Sequence, residues 1–247
     1  MNPQEYTKLA EAEASHWFYS GKRDIVRWWL NRTYPLQPDH LLVDCGAGTG
    51  KFAEEIQVWC KVLAVDDHEE SLNIARSKLG ANRVLSGTCQ ALPLANNSVD
   101  VLTALDVLEH VEDDVAALKE FARVVKKNGV VVITVPALPG LWSDWDVVLH
   151  HFRRYTRPKL LRIVQTEQFQ VIHCAYINVA ALPAVYLIRK IRVLLGKFGF
   201  VSTRRSEDQP PPPALNAVLK YLFVKLACQT KVKFPAGVGL LLVLKRR

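Results

Sequence analysis

Leu41-Leu42-Val43-Asp44-Cys45-Gly46-Ala47-Gly48-Thr49-Gly50 is the stretch that decides the fold class. An apolar strand runs into an acidic residue and then into three glycines at alternating positions. Glycine tolerates positive φ and lets a ligand come close to the backbone. A strand, a Gly-rich turn and a helix are how α/β proteins hold a nucleoside-containing ligand at the carboxyl edge of a sheet. The spacing Gly46-x-Gly48-x-Gly50 is not the G-x-G-x-x-G of an NAD fingerprint. Lys51 follows the last glycine, but the Lys-Ser/Thr pair of a Walker loop is missing. No phosphate cradle is evident, which favours a ligand without a pyrophosphate. Asp44, just ahead of the glycines, suits a cationic or amine-bearing ligand better than a phosphate.

Working outward, Val62-Leu63-Ala64-Val65 is a short apolar run ending at Asp66. It predicts a second parallel strand, with residues 52–60 as the crossover helix. Asp66 stands about twenty residues beyond the first glycine, where a ribose-binding carboxylate belongs in such folds. Asp67 follows and either lines the adenine pocket or stands in solvent. Further along, the pattern predicts a helix over 71–79 with Ser71 as its N-cap, strands over 83–86 and 99–105, and a helix over 115–125. Strands over 130–135, 169–176 and 238–244 complete the set.

In order and spacing, Val43 to Gly50, Val65-Asp66, Ala91-Leu92-Pro93, Ser98-Val99-Asp100-Val101-Leu102, Leu108-Glu109-His110-Val111 and Val124-Val125-Lys126-Lys127-Asn128-Gly129 resemble the class I S-adenosylmethionine-dependent methyltransferases. Glu13-Ala14-Ser15-His16-Trp17-Phe18 and Leu141-Trp142-Ser143-Asp144-Trp145-Asp146, with His151-Phe152-Arg153-Arg154-Tyr155, look like a branch of small bacterial-type enzymes related to those of quinone pathways. The resemblance implies an α/β fold with a doubly wound, mostly parallel seven-stranded sheet and an antiparallel last strand. It implies S-adenosylmethionine as cofactor, with Asp44, Gly46, Gly48 and Gly50 at its methionine end and Asp66 at the ribose. Thr88 departs from the family, which usually places an Asp there to accept from the adenine amino group. The main chain at Cys89 is expected to read the adenine edge. Asp106 and Glu109-His110, at the end of the fourth strand, are expected to face cofactor and acceptor; the other reading of His110 is a core residue capping the next helix.

Methyl transfer from a sulfonium is an in-line attack that needs mostly proximity and desolvation. Where a base is needed, His151, Tyr155 and His16 are the candidates. Trp17, Trp142, Arg153 and Arg154 are the candidates for holding the acceptor, since aromatics beside arginine suit a planar or anionic group. The plainer reading is a basic helix start packed on the sheet.

The 247 residues suit one domain. Within it we read a helical lid (1–40), a cofactor core (41–135), an acceptor-side segment (136–168) and a basic helical insertion (177–234). The polar N-terminus lacks a signal-peptide pattern, so a cytoplasmic protein is expected. Five scattered cysteines without a CxxC pair point to reduced, buried thiols, and no metal-ligand pattern stands out. Charge is uneven: from His151 onward there are 18 Lys and Arg against 3 Asp and Glu, within a chain of net charge +8. That end is expected to meet something anionic. In the insertion, Ala184, Leu187, Ile188, Ile191, Leu194, Leu195 and Phe198, then Leu215, Val218, Leu219, Leu222, Phe223 and Leu226, form two helical stripes flanking a Pro-rich break at 203–213. Such basic amphipathic helices lie on an anionic membrane face, pack on the domain or pair with a second subunit. The run 171–188 approaches a membrane span in length, but it holds His173, Asn178 and Pro183, and its first half is needed as a strand.

The expected function is methylation of a small-molecule acceptor of lipid-like or anionic character. Alternatives are a methyltransferase of a protein or RNA target, or a noncatalytic membrane-associated module that binds the cofactor. Leu105-Asp106-Val107-Leu108 stands where amine-directed enzymes often carry Asn/Asp-Pro-Pro-Tyr/Phe, and no RNA-binding motif is seen, which disfavours nucleic acid. The oligomeric state is not readable.

Overall fold

The computed structural model describes residues 12–164, 167–196 and 210–247. Seven strands form one sheet: β1 (Leu41–Cys45), β2 (Lys61–Asp66), β3 (Val84–Ser86), β4 (Val99–Leu105), β5 (Val125–Pro136), β6 (Phe169–Ile177) and β7 (Gly239–Arg246). Their order is β3-β2-β1-β4-β5-β7-β6. The pairs from β3 to β5 are all parallel, while β7 is antiparallel to both β5 and β6. The chain therefore reverses its winding between β1 and β4. That is where an open α/β sheet leaves a crevice at its carboxyl edge.

The central strands are nearly continuous apolar runs because both faces are covered. Val99 to Ala104 of β4 are all buried, and so are Leu240 to Leu244 of β7. One face is closed by α4 (Asp114–Val124) and α6 (Arg157–Ile163), with Phe121, Leu118 and Leu160 in its core. The other face carries α1 (Trp17–Thr33), α2 (Lys51–Ile56) and α3 (Glu69–Leu79), with Ile25, Trp29, Phe52 and Leu72 buried. A short α5 (Asp144–Val148) stands near the carboxyl edge, its start closed by a Ser143–Asp146 capping box. The insertion supplies α7 (Leu182–Gly196) and α8 (Pro213–Cys228).

Several boundaries differ from the expected ones. Helix α3 starts at Glu69, two residues before the anticipated cap; Ser71 is buried in its first turn, where Glu69 and Glu70 suit the positive helix end. Helix α2 stops at Ile56 instead of running to residue 60. Strand β5 begins at Val125, directly after α4, and carries a register shift opposite Val99/Val101 with Asn128 at φ 69°. Local patterning does not show that bulge. In the insertion, Phe198 and residues 203–209 of the Pro-rich break lie outside the described residues, as do the side chains of Leu194 and Leu195. Among the described residues no helix is long and apolar enough to cross a membrane.

Candidate active site

The site is built from the glycine turn upward. Gly46, Gly48 and Gly50 all adopt positive φ, at 67°, 54° and 75°. At Gly46 a Cβ would come within 2.4 Å of the Val107 side chain, so the turn can pass beneath the β4 loop only as glycine. Gly48 is different. The nearest atom to its Cβ position is Oε1 of Glu13, at 3.5 Å. Among the described residues, that side of the turn meets only one carboxylate, from the N-terminal segment.

Asp44, next to last in β1, lies beneath the glycines and is buried. Burial pushes its carboxyl up to about 7, against the Thr103 hydroxyl that donates to Oδ1 at 2.7 Å; nearby Glu13 and Asp66 push it further. Asp66 ends β2 and accepts from the Gly48 amide at 2.8 Å and the His68 amide at 3.0 Å. Burial raises its carboxyl too, with these amides opposing. Acidic groups held above their ordinary range in a half-closed site favour a cation arriving there. Asp67 is largely exposed, with Oδ1 2.6 Å from Nδ1 of His68. Thr88 is exposed and Cys89 buried. The hydrogen-bonded Cys89 side chain, with burial, pushes the Cys45 thiol up, while the same contact lowers that of Cys89.

Asp106 follows β4 with φ 57°, a strained conformation for a non-glycine residue. Its amide donates to the Thr134 carbonyl at 2.9 Å, and the Thr134 hydroxyl returns a bond to Oδ1 at 2.8 Å. The Lys22 ammonium of α1 pairs with Oδ2. Burial alone would raise the Asp106 carboxyl, but Lys22 and Thr134 hold it below the ordinary range. Lys22 also lies 4.3 Å from the Phe18 ring centroid. Helix α1 is thus pinned across the carboxyl edge by a buried cation.

Next to Asp106 lies a group that sequence reading did not assemble. The Glu109 side chain is fully buried and neither carboxylate oxygen has a hydrogen-bond partner among the described residues. Burial, then Asp106, pushes its carboxyl well above the ordinary range. The His110 and His151 rings meet edge to face at 4.6 Å. A ligand atom from each of Glu109, His110 and His151 falls within 4.8 Å of the others, close enough for a metal ion to bridge; Asp66, Asp67 and His68 do the same in a more exposed place. Nδ1 of His151 lies 2.9 Å from Oδ1 of buried Asp146. Burial would raise the Asp146 carboxyl, but His151 and Arg154 hold it down near 2. An ionised carboxylate can only accept, so Nδ1 donates to Asp146, and in the neutral ring Nε2 is the acceptor.

Other acceptor-side expectations are corrected by burial. Tyr155 is wholly buried; its hydroxyl engages Asp114 Oδ2 at 2.8 Å and the Leu108 carbonyl at 3.1 Å. Burial and Asp114 push the phenol far up, which disqualifies it as a base at neutral pH. Arg154 is also buried, spent on Asp146 at 2.7 Å and the Ala137 carbonyl at 3.1 Å. Arg153 bonds Asp114 at 2.9 Å and the Glu112 carbonyl at 2.6 Å. These three residues frame the segment and have no side chain to spare for an acceptor. His16 caps α1, its Nδ1 accepting from the Phe18 amide at 3.2 Å, and burial lowers its pKa. The Trp17 ring turns away to pack on Phe223 of α8 at 5.7 Å. Trp142 is 40% exposed and shares a small hollow with Tyr186 and Arg189. A hollow of about 470 Å³, lined by Pro38, Trp59 and Arg83, lies at the amino ends of β1 and β2, on the edge opposite the glycines.

A family model described as a methyltransferase domain matches residues 43–133, the span from β1 to β5 that carries the glycine turn and Asp66. Over that span the chain is similar to S-adenosylmethionine-dependent methyltransferases. A probable S-adenosylmethionine-dependent methyltransferase of Mycobacterium tuberculosis is 32% identical over 121 residues, covering 46% of this chain and 44% of that protein. The uncharacterized methyltransferase YcgJ of Bacillus subtilis is 27% identical over 183 residues, 70% of each. The chain spans less than half the length of the mycobacterial relative. Among solved structures, a Haloferax volcanii putative methyltransferase in complex with the Trm112 activator superposes with a TM-score of 0.61 at 17% identity, covering 96% of this chain and 92% of that one. At that identity the likeness speaks for the fold, which is the Rossmann-like methyltransferase sheet with its antiparallel last strand.

Proposed function

We propose that the protein methylates a small-molecule acceptor of lipid-like or anionic character, using S-adenosylmethionine. The observation that carries this is the left-handed glycine turn with buried Asp44 beneath it and Asp66 bonded to the Gly48 amide, at the point where the sheet reverses. The residues fit the cofactor: two carboxylate oxygens of Asp66 match ribose hydroxyls, and the acidic floor suits a cationic amino-acid end. When bound, the cofactor supplies a methyl group on an electrophilic sulfonium. The chain's own residues then have three tasks. The glycine turn and Asp66 hold the donor in place. Helix α1, pinned by Lys22 to Asp106, covers the edge and excludes water. His151, oriented by Asp146, takes the acceptor's proton on Nε2 where the acceptor has one to lose.

The acceptor class is supported by the insertion. Leu187, Ile188 and Ile191 on α7 and Leu215, Val218 and Tyr221 on α8 are exposed, interleaved with Lys190 and Lys225. An apolar surface with fixed positive charge fits a greasy molecule with an anionic head, or the membrane that holds it. The test is to incubate the purified protein with labelled S-adenosylmethionine and fractionated cell extract. Label in the organic-soluble fraction is expected. Label in protein or RNA would refute the acceptor class, and no transfer to any fraction would refute the activity.

A further inference from the structure

The N-terminal segment brings a carboxylate to the one open side of the glycine turn. Glu13 Oε1 lies 3.5 Å from the Cβ position of Gly48, nearer than any other atom outside the turn's own neighbours. The other oxygen, Oε2, accepts from the Thr49 hydroxyl. The direction of that bond is settled by Lys78, whose ammonium donates to the Thr49 carbonyl at 2.9 Å and to Thr49 Oγ1 at 3.0 Å. A hydroxyl that accepts from an ammonium turns its single proton the other way, so Thr49 points it at Glu13. The backbone behind Glu13 is fixed as well: buried Arg23 donates to the Glu13 carbonyl at 2.7 Å and to Glu55 at 3.0 Å. Glu13 is therefore held at both ends, while Oε1 makes no hydrogen bond among the described residues. It faces the same ground as Asp44 and Asp66, and burial raises its carboxyl as it raises theirs.

We infer that Glu13 Oε1 receives the α-ammonium of the cofactor's amino-acid end, making the N-terminal segment part of the cofactor site and not only a cover for the acceptor. This rests on the S-adenosylmethionine reading above. The physical case is that a fixed, poorly solvated carboxylate beside the glycine turn is costly until a cation arrives, and the cofactor's ammonium is the cation that this turn would present to it. Neutral Glu13 would keep the shape and lose that attraction.

The experiment compares two ligands by calorimetry on the full chain and on Glu13→Gln. S-adenosylhomocysteine carries the amino-acid end; 5′-methylthioadenosine keeps the nucleoside and lacks it. Glu13→Gln is expected to weaken S-adenosylhomocysteine by about tenfold or more, the usual worth of a charged hydrogen bond. It should leave methylthioadenosine within about twofold, which also shows that the variant is folded. Thr49→Val, which frees the Glu13 carboxylate to swing, should fall between. Equal loss of both ligands would overturn the inference and make Glu13 a strut of the fold. Unchanged S-adenosylhomocysteine affinity would overturn it directly. If the unaltered chain binds neither ligand, the cofactor reading fails first and the inference falls with it.

Discussion

Replacing Asp44 by Asn should make the protein more stable and less able to bind its cofactor, and the size of the effect should depend on pH. Asp44 is buried beneath the glycine turn, with its carboxyl pushed up to about 7 by desolvation. In the unfolded chain it titrates near the ordinary value of about 4. Between those two values the folded state holds a proton that the unfolded state has released, so raising the pH erodes stability. The erosion is absent below pH 4, grows through the window and is complete above pH 7. Each pH step costs about 1.4 kcal/mol, so between pH 5 and pH 8 the wild type gives up about 3 kcal/mol through this one group. Asn does not titrate, and its side-chain oxygen can still accept from Thr103. The advantage of Asp44→Asn over wild type should therefore grow by about 3 kcal/mol from pH 5 to pH 8, or roughly 8 °C in Tm for a chain of this size. Paired thermal melts at the two pH values measure it, with calorimetry for cofactor loss at pH 8. An Asn variant that is destabilised by the same amount at both pH values would refute the reasoning.

Asp66→Ala removes the acceptor of the Gly48 and His68 amides and should weaken S-adenosylmethionine by about 1.5–3 kcal/mol in calorimetry; unchanged affinity would take Asp66 out of the site. His151→Gln should lower turnover by about 100-fold or more with cofactor affinity retained, as expected of a base that does not touch the donor; unaltered turnover would leave the acceptor to lose its proton to water. Arg154→Ala leaves part of the charge on buried Asp146 uncompensated and should cost about 3 kcal/mol of stability in denaturant melts; a variant of normal stability with a raised KM would return Arg154 to the acceptor. The exposed apolar and basic faces of α7 and α8 should carry the protein down with anionic liposomes at low salt and release it at high salt, since screening weakens surface attraction. Protein that stays in the supernatant at low salt would favour a soluble acceptor.

The glycine turn and the carboxylates around it were legible because their signals are local. Asp44, the glycines and Asp66 sit at strand ends, and a strand end fixes where its next residue goes. The acceptor half was harder. Arg154, Tyr155 and Arg153 have the chemistry of an anion clamp, yet their partners, Asp146 and Asp114, lie on other turns of chain and draw them inward. No periodicity reveals which arginine will find a buried carboxylate. Asp146 itself was visible only as part of an aromatic-rich stretch. Its reach to His151 is five residues away, yet it depends on α5 being a single turn with a capping box. Glu13 and Lys22 gave no signal for the same reason at longer range: they contact Thr49 and Asp106, 36 and 84 residues on. Glu109 was read at the end of the fourth strand, but its full burial without a hydrogen-bond partner among the described residues is a property of packing and has no sequence signal.

The N-terminal helix is gripped from outside as well as from the site. A Cβ on Gly21 of α1 would come within 2.8 Å of the Phe223 ring on α8. Asn216 of α8 accepts from the Trp17 amide at 2.8 Å and donates to the Ser15 carbonyl at 3.0 Å. Two segments some 200 residues apart are therefore held together, one arm beside the glycine turn and the other at the outer surface. Were binding at one arm to change affinity at the other, the effect would be equal in both directions, because coupling between two binding events is reciprocal. A surface that captures α8 would tighten the donor's hold, and a loaded donor site would tighten the grip on that surface. An enzyme wired in this way would be charged where its acceptor is found and idle elsewhere.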